Sequence, residues 1–152
     1  MNARRRRLLL GGLLCLLAAG GGPAAAATAA TEVTVTVTGL RTGNGIVACA
    51  LFDSAATFLE PGQQRVGRRV PAAAGSVTVT FPGVPPGDYA VVAYHDENAN
   101  EELDRNILGV PIEGLGFSNG QRPSAFGPPT FDAVKVPIGG DGATAIAIEI
   151  HY

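Results

Sequence analysis

The stretch TEVTVTVTG, residues 31–39, alternates threonine with valine, and this period of two is typical of a strand with one buried face. GSVTVTF, residues 75–81, repeats the pattern. GIVACALFD (45–53) is almost continuously apolar, and YAVVAYHD (89–96) predicts a strand buried on both faces. RVGRRVPA (65–72) is predicted to be a short edge strand with outward arginines. These runs indicate a β protein.

Two further strands are predicted near the carboxyl end, in FDAVKVPI (131–138) and ATAIAIEIHY (143–152). Turns rich in Gly and Pro, such as PGVPPGDY (82–89), separate the strands, and no amphipathic helix is apparent. About seven such strands predict an all-β fold, a single antiparallel β-sandwich of Ig-like or transthyretin-like type over residues 31–152. Several hairpin pairings fit this pattern, so the strand order stays open.

Residues 97–130 form a connection of about 34 residues in which no strand or helix is predicted. Structureless loops longer than about 12–15 residues are uncommon in compact domains. Disordered segments are poor in large apolar residues, whereas this one carries Ile107, Leu108, Val110, Ile112, Leu115, Phe117 and Phe126. We therefore expect one long ordered loop that packs against the sandwich.

The first thirty residues have the features of a signal peptide. Four arginines at positions 4–7 precede an apolar run at 8–20, and small residues follow, which places cleavage near Ala27 or Ala30. The apolar run is short and broken by glycine, so it does not predict a membrane span. Residues 1–30 are thus predicted to be a signal peptide, and the protein to be periplasmic or secreted, with no membrane span after cleavage.

The charge of the mature chain excludes some partners. After residue 30, seven Lys and Arg and thirteen Asp and Glu remain, a formal net charge of −6. Nucleic-acid binding depends on basic patches, so no nucleic-acid partner is predicted. Only Cys49 remains after cleavage, so no internal disulfide is possible, and its apolar neighbours predict a buried, unreactive thiol.

The stretch HDENANEELD, residues 95–104, has the ligand spacing of a calcium loop. Alternate residues of a tightly wound loop point inward, and calcium prefers six to eight hard oxygen ligands. The predicted ligands are the carboxylates of Asp96 and Asp104, the amide oxygens of Asn98 and Asn100, and the backbone carbonyl of Glu102.

Two positions depart from the usual calcium loop. Glu101 stands where glycine normally allows a sharp turn, and Ile107 stands where a bidentate glutamate normally binds. Glu97, Glu101 or Glu113 could supply another carboxylate. The alternatives are a solvated acidic turn closed by Asx hydrogen bonds and a zinc site, which would require His95 and His151 to converge.

Two other functions remain open. A hydrolase-type enzyme would use His95, Asp96 and Glu113, although no nucleophile motif accompanies them. GVPIEGLGFSNG (109–120) is typical of a loop packed by its own side chains. It could instead form a binding rim for a small ligand or an envelope protein, and the residues assigned to that rim are His95, Glu113, Phe117, Ser118 and Asn119.

The segment GDYAVVAYHDENANEELDRNILGVPIEGLGFSNG, residues 87–120, resembles the signature of the bacterial domain of unknown function 2141 family. The resemblance extends over roughly residues 32–152 and implies a small exported protein without an established activity. Glu101 departs from it, because the family usually has glycine there. The turn PPGDY and the acidic loop also resemble transthyretin-like repeat domains of surface adhesins, which implies a sandwich fold with a calcium loop.

Overall fold

A computed structural model describes residues 30–124, 126–139 and 144–152, so the predicted signal peptide lies outside the described residues apart from Ala30. The all-β prediction is confirmed. The eight strands are β1 (Thr31–Leu40), β2 (Ile46–Phe52), β3 (Val66–Pro71), β4 (Gly75–Val84), β5 (Gly87–Asp96), β6 (Gly114–Phe117), β7 (Lys135–Ile138) and β8 (Thr144–Glu149).

The strands form two sheets. The three-stranded sheet has the order β4-β1-β8, and the five-stranded sheet has β3-β2-β5 followed on the far side of β5 by β7 and β6. β7 pairs with the first half of β5 and β6 with its second half. All pairs are antiparallel except β1 with β8. The central strand β5 ends at Asp96 and delivers the acidic loop at the sheet's end.

The main core lies between the two sheets. The valines of the opening stretch, Val33, Val35 and Val37, are fully buried, while the threonines between them face outward or lie at the margin. Cys49 is buried with them, and burial raises the pKa of its thiol to about 12. The prediction that Cys49 is buried among apolar residues is therefore confirmed.

A second apolar cluster covers the outer face of the five-stranded sheet. Loop residues pack there on Val92, Leu115 and Phe117, with Phe58 edge-on to Phe52 and Phe131. Both faces of β5 are consequently covered, as its continuous apolar sequence predicts. No helix of the described residues is long and apolar enough to cross a membrane.

The prediction that residues 97–130 lack regular structure is wrong. They contain strand β6 and a 3₁₀ turn at Ser118–Gly120. The two glycines of GLGF predict a turn, but in the structure they allow strand β6 to lie close to the residues around the end of β8. A Cβ at Gly114 would collide with Ile150, and one at Gly116 with the backbone of Glu149. β6 therefore lies against the end of β8, where Leu115 and His151 exchange backbone hydrogen bonds.

The predicted strand at residues 131–138 is also only half correct. Phe131–Val134 forms one helical turn, α1, and the strand is confined to Lys135–Ile138. The turn begins at Thr130, whose hydroxyl accepts a hydrogen bond from the Ala133 amide. A threonine followed by an acidic residue in the first turn is an N-cap signal, which outweighs the strand propensity of the following residues.

Candidate functional site

Asp96 organises the start of the acidic loop. It is fully buried at the end of β5. Its carboxylate accepts hydrogen bonds from the backbone N–H groups of Asn100 (3.1 Å) and Glu101 (2.8 Å). These two bonds fold residues 97–101 back towards the end of the strand.

The other predicted ligand side chains converge on Asp104. The amide nitrogen of Asn98 lies 2.7 Å from one carboxylate oxygen of Asp104, and that of Asn100 lies 3.0 Å from the other. The amide oxygens of Asn98 and Asn100 accept from the N–H groups of Asn100 and Glu102, both at 2.9 Å. Each carbonyl oxygen retains one free lone pair. Three of the predicted ligand side chains thus contact one another, and metal binding by this set stays a prediction.

The loop needs left-handed backbone at two residues that are not glycine. Ala99 has φ of 57° and Glu101 has φ of 67°. The sharp turn expected at Glu101 is therefore present. A residue with a Cβ costs roughly 1–2 kcal/mol in this conformation, so the loop carries backbone strain that a glycine would relieve.

Replacing Glu101 by glycine is expected to stabilise the fold by about 1 kcal/mol, because glycine adopts the left-handed region freely. The lost ion pair with Arg69 matters little, since it spans 3.8 Å between two exposed side chains. Chemical denaturation measures the change. The matched control is Glu102→Gly, which has no positive φ and should lose about 0.5–1 kcal/mol. Equal changes in the free energy of unfolding for Glu101→Gly and Glu102→Gly would contradict the backbone strain assigned to Glu101.

Glu113 clamps the two ends of the acidic loop. Its buried carboxylate accepts from the N–H of Glu97 at 3.0 Å and from the N–H of Asp104 at 3.1 Å. It reaches these groups from the residue directly before β6. Glu113 therefore joins both loop ends to the five-stranded sheet.

Glu97 is held by an ion pair and a hydroxyl. The Arg41 guanidinium makes several hydrogen bonds with its carboxylate, and the Thr42 hydroxyl adds one at 2.8 Å. The hydrogen bonds from Arg41 lower the pKa of Glu97 from 4.5 to about 2. The same Arg41 lies over the ring of Tyr152, 4.0 Å from its centroid. Glu97 thus ties the loop to the β1–β2 turn.

This pair predicts an acid-dependent loss of stability. A lowered pKa means that the ionised Glu97 stabilises the fold above pH 4.5 and that this stabilisation disappears as pH falls towards 2. The wild type should therefore melt higher than Glu97→Gln near neutral pH, and the two should converge near pH 2. Melting temperatures across this range measure the difference, and a gap that is constant with pH would contradict it.

His95 lies on the core side of β5, opposite Asp96. It is fully buried, its Nε2 lies 2.8 Å from the Asn44 carbonyl, and its Nδ1 lies 2.6 Å from the Tyr152 hydroxyl. The carbonyl can only accept, so Nε2 carries the proton and Nδ1 accepts from the tyrosine. His95 therefore ties the C-terminal residue to the β1–β2 turn, and both ring nitrogens are occupied.

The residues assigned to a binding rim have structural contacts in the described part of the chain. Phe117 and Ser118 are fully buried, and the Ser118 hydroxyl accepts from the Val91 amide and donates to the Val134 carbonyl at 2.6 Å. The exposed Asn119 donates to the carbonyls of Ala133 and Lys135. These bonds connect β6, α1 and β7, and ligand binding by these residues stays a prediction.

The donor set restricts which metal could bind. Among residues 30–124, 126–139 and 144–152, no three His, Cys, Asp or Glu side chains are grouped to hold a metal ion. Only Asp96 and Asp104 are carboxylates in the predicted set. The remaining donors are amide and carbonyl oxygens, which suit a hard cation such as calcium rather than zinc.

The loop after Asp104 was expected to pack on the sandwich, and this prediction is wrong for part of it. Leu115 and Phe117 are buried, but Ile107, Leu108 and Phe126 are exposed. Residues 104–112 close on themselves as a hairpin, with Asn106 N–H donating to the Val110 carbonyl and Ile112 N–H to that of Asp104. We call residues 104–112 the apolar hairpin. Its backbone is satisfied internally, so its side chains project.

The profile of one protein family matches residues 35–147, and the family is described as an uncharacterized protein conserved in bacteria (DUF2141). This match covers well over half of the chain. The chain belongs to the DUF2141 family. The family resemblance seen in residues 87–120 is thereby confirmed. A search of curated proteins and a search of solved structures each gave no significant match. DUF2141 membership specifies no reaction, ligand or partner, so function must be argued from the loop geometry.

Proposed function

We propose that this DUF2141 protein is an exported, non-enzymatic cell-envelope domain whose acidic loop, residues 96–104, binds one structural calcium ion. Asp96 and Asp104 supply the negative charge, Asn98 and Asn100 supply amide oxygens, and Glu102 supplies its backbone carbonyl. Export is supported by the basic and apolar leader at residues 1–30. The ion fixes the loop at the end of β5, and the loop in turn positions the apolar hairpin as a binding surface.

The convergence of three oxygen-bearing side chains, in a loop that the Asp96 carboxylate folds, carries the proposal. The Asn98 and Asn100 amides both contact Asp104, and Asp96 accepts from the backbone of the same turn. Each amide oxygen accepts one backbone N–H and retains a second lone pair. A bound calcium ion would displace the two amide NH2 groups from Asp104 and use these lone pairs beside the Asp104 carboxylate.

The remaining groups support a binding or structural role rather than catalysis. His95 uses both ring nitrogens in hydrogen bonds, and the carboxylates of Asp96 and Glu113 each hold two backbone amides. A catalytic acid or base must reach a substrate atom at hydrogen-bond distance. These three side chains are buried and bonded to the protein itself.

Calcium is expected to raise the melting temperature by several degrees, because it binds the folded loop and not the unfolded chain. The stabilisation is about 2.7 kcal/mol when free calcium is about 100 times the Kd. Thermal unfolding is recorded with excess calcium, with magnesium and with chelator. Magnesium should give a smaller shift, since it requires shorter, octahedral coordination.

Asp104→Asn serves as the matched variant for this test. It retains the side-chain shape but removes one ligand charge, so the calcium shift should largely disappear. The exposed Asp53→Asn, outside the loop, should leave the shift unchanged. Equal melting temperatures with calcium and chelator in the wild type would refute the calcium proposal.

A further inference from the structure

Large apolar side chains are exposed mainly on two loops. Among the described residues, five of the six exposed large hydrophobics lie in the apolar hairpin or in residues 122–124 and 126–128, which we call the second loop. Ile107 is 102% exposed, Leu108 81% and Phe126 102%. Exposed apolar side chains mark an interaction surface when they lie together rather than singly.

The hairpin presents its apolar side chains on a rigid backbone. The Asn106 side-chain oxygen accepts from the N–H groups of Leu108 and Val110, at 2.9 and 3.1 Å. The Arg105 guanidinium donates to the Gly109 carbonyl at 3.0 Å, and Gly109 takes the left-handed conformation that the turn requires. The polar groups of the turn are thus satisfied inside it, and the apolar side chains face outward.

The two loops lie on the same side of the molecule. Both border one groove over the outer face of the five-stranded sheet, which Leu108 and Val110 line together with Pro123 and Pro128. Ile107 and Phe126 do not line the groove. A small molecule seated there would leave both of these side chains in water, so the partner must cover convex tips.

Charge next to the tips specifies the chemistry of the partner. Arg105, the second residue of the apolar hairpin, and Arg122, the first residue of the second loop, are both exposed. One N–H of Arg105 donates to Gly109, and the other guanidinium donors remain for a ligand. Arg122 lies 3.4 Å from Glu149, but both side chains are more than half exposed, so this pair exchanges easily for another anion. Guanidinium groups favour phosphate as a bidentate partner. An apolar tip with an arginine behind it matches acyl chains beneath phosphate headgroups.

The exposed tips favour a bilayer over a second copy of the chain. Stable protein interfaces bury about 800 Å² on each partner in a closely fitted contact, whereas the five large apolar side chains exposed here among the described residues stand on two separate loops. Protruding tips also need matching pockets in a protein partner. A bilayer accepts protruding side chains of any shape.

We propose that the apolar hairpin and the second loop dock the domain on a phospholipid membrane surface. Ile107, Leu108 and Phe126 enter the acyl region, and Arg105 and Arg122 contact lipid phosphates. The chain carries a net charge of −6 after the leader, so insertion rather than attraction to anionic lipid provides the affinity, and neutral lipid suffices. This inference rests on the proposed function for the export that brings the domain to an envelope membrane.

A tryptophan reporter tests the insertion, because the chain contains no tryptophan. Ile107→Trp is mixed with neutral phosphatidylcholine vesicles, with and without nitroxide-labelled acyl chains, in calcium and in chelator. Its emission should shift to the blue and be quenched by the nitroxide. The matched control, Thr78→Trp, lies exposed on the three-stranded sheet and should keep its spectrum in water.

A second pair of variants measures the affinity. Ile107→Ser with Leu108→Ser should weaken vesicle partitioning at least about tenfold in co-sedimentation, since each buried aliphatic side chain contributes strongly to transfer. Both residues are exposed, so the melting temperature should remain that of the wild type. Binding to neutral vesicles should persist at high salt.

Three results would overturn membrane docking. One is a water-like Ile107→Trp spectrum at millimolar lipid in both calcium and chelator. Another is binding confined to anionic vesicles and lost at high salt. The third is self-association in sedimentation velocity that Ile107→Ser removes. Failure of calcium binding is separately visible, because it removes the calcium-dependent thermal shift and leaves insertion in chelator unchanged.

Discussion

Asp96→Ala is expected to lower the free energy of unfolding by about 1.5–3 kcal/mol, even without calcium. Alanine removes the buried carboxylate that accepts from the Glu101 N–H, and it leaves the Asn98 amide oxygen as the remaining acceptor of the Asn100 N–H. A hydrogen bond to a charged group contributes about 1.5–3 kcal/mol. The strained turn at Glu101 would then have no partner to hold it, and the calcium response should disappear as well.

Asp96→Asn separates the two roles of this residue. Asparagine keeps the volume and one acceptor oxygen, so its destabilisation in chelator should be smaller than that of alanine, while calcium binding should still be lost. Asp53→Ala, an exposed aspartate whose ion pair to Arg65 spans 3.7 Å, should stay within about 0.5 kcal/mol of the wild type. Urea unfolding in chelator measures all three. An Asp96→Ala value no larger than that of Asp53→Ala would disprove the organising role.

Glu113→Gln is expected to destabilise the fold by about 1–3 kcal/mol and to weaken calcium binding without abolishing it. The glutamine amide would point its NH2 group at one of two N–H groups, from Glu97 or Asp104, that the carboxylate now accepts. Since Glu113 holds the loop ends but supplies no ligand, the binding stoichiometry should remain one ion per chain.

Calorimetric titration and urea unfolding distinguish this clamp from a ligand. Glu60→Gln is the matched control, because that side chain is exposed and makes no side-chain hydrogen bond among the described residues. Glu60→Gln should change neither the calcium affinity nor the free energy of unfolding. A complete loss of binding in Glu113→Gln, with stability intact, would place Glu113 on the metal instead.

The fold class followed from the sequence because its strongest signals are local. Alternation in residues 31–39 and 75–81 reports which side chains face the core, and the apolar run of β5 reports cover on both faces. The parallel pairing of β1 with β8 could not be predicted in the same way. It depends on contacts between residues more than 100 positions apart, which leave no local pattern.

The two errors in secondary structure have definite physical causes. Gly114 and Gly116 are required because β6 lies directly against Ile150 and Glu149, whereas glycine in a sequence first indicates a turn. The Thr130 cap starts a helical turn that the apolar residues after it did not indicate. In both cases a tertiary or capping interaction overrode the local propensity.

The candidate site was partly visible in the sequence. The spacing from Asp96 to Asp104 predicted inward-pointing oxygen ligands, and the structure brings Asn98 and Asn100 onto Asp104, while Asp96 bonds to the loop backbone. The exposed hairpin was missed, because apolar residues normally predict burial. The available signal was Asn106 followed by Gly109, a pattern that closes a turn on its own polar groups.

Crystals grown in millimolar calcium test the central proposal most directly. The measurement is the anomalous scattering signal of a bound ion at the acidic loop. The expected result is one ion bound by oxygens of Asp96, Asn98, Asn100, Glu102 and Asp104, completed by water at distances of about 2.3–2.6 Å. The amide oxygens of Asn98 and Asn100 should face the ion. Calcium binding is contradicted if the loop shows no anomalous peak while both amide nitrogens still donate to Asp104.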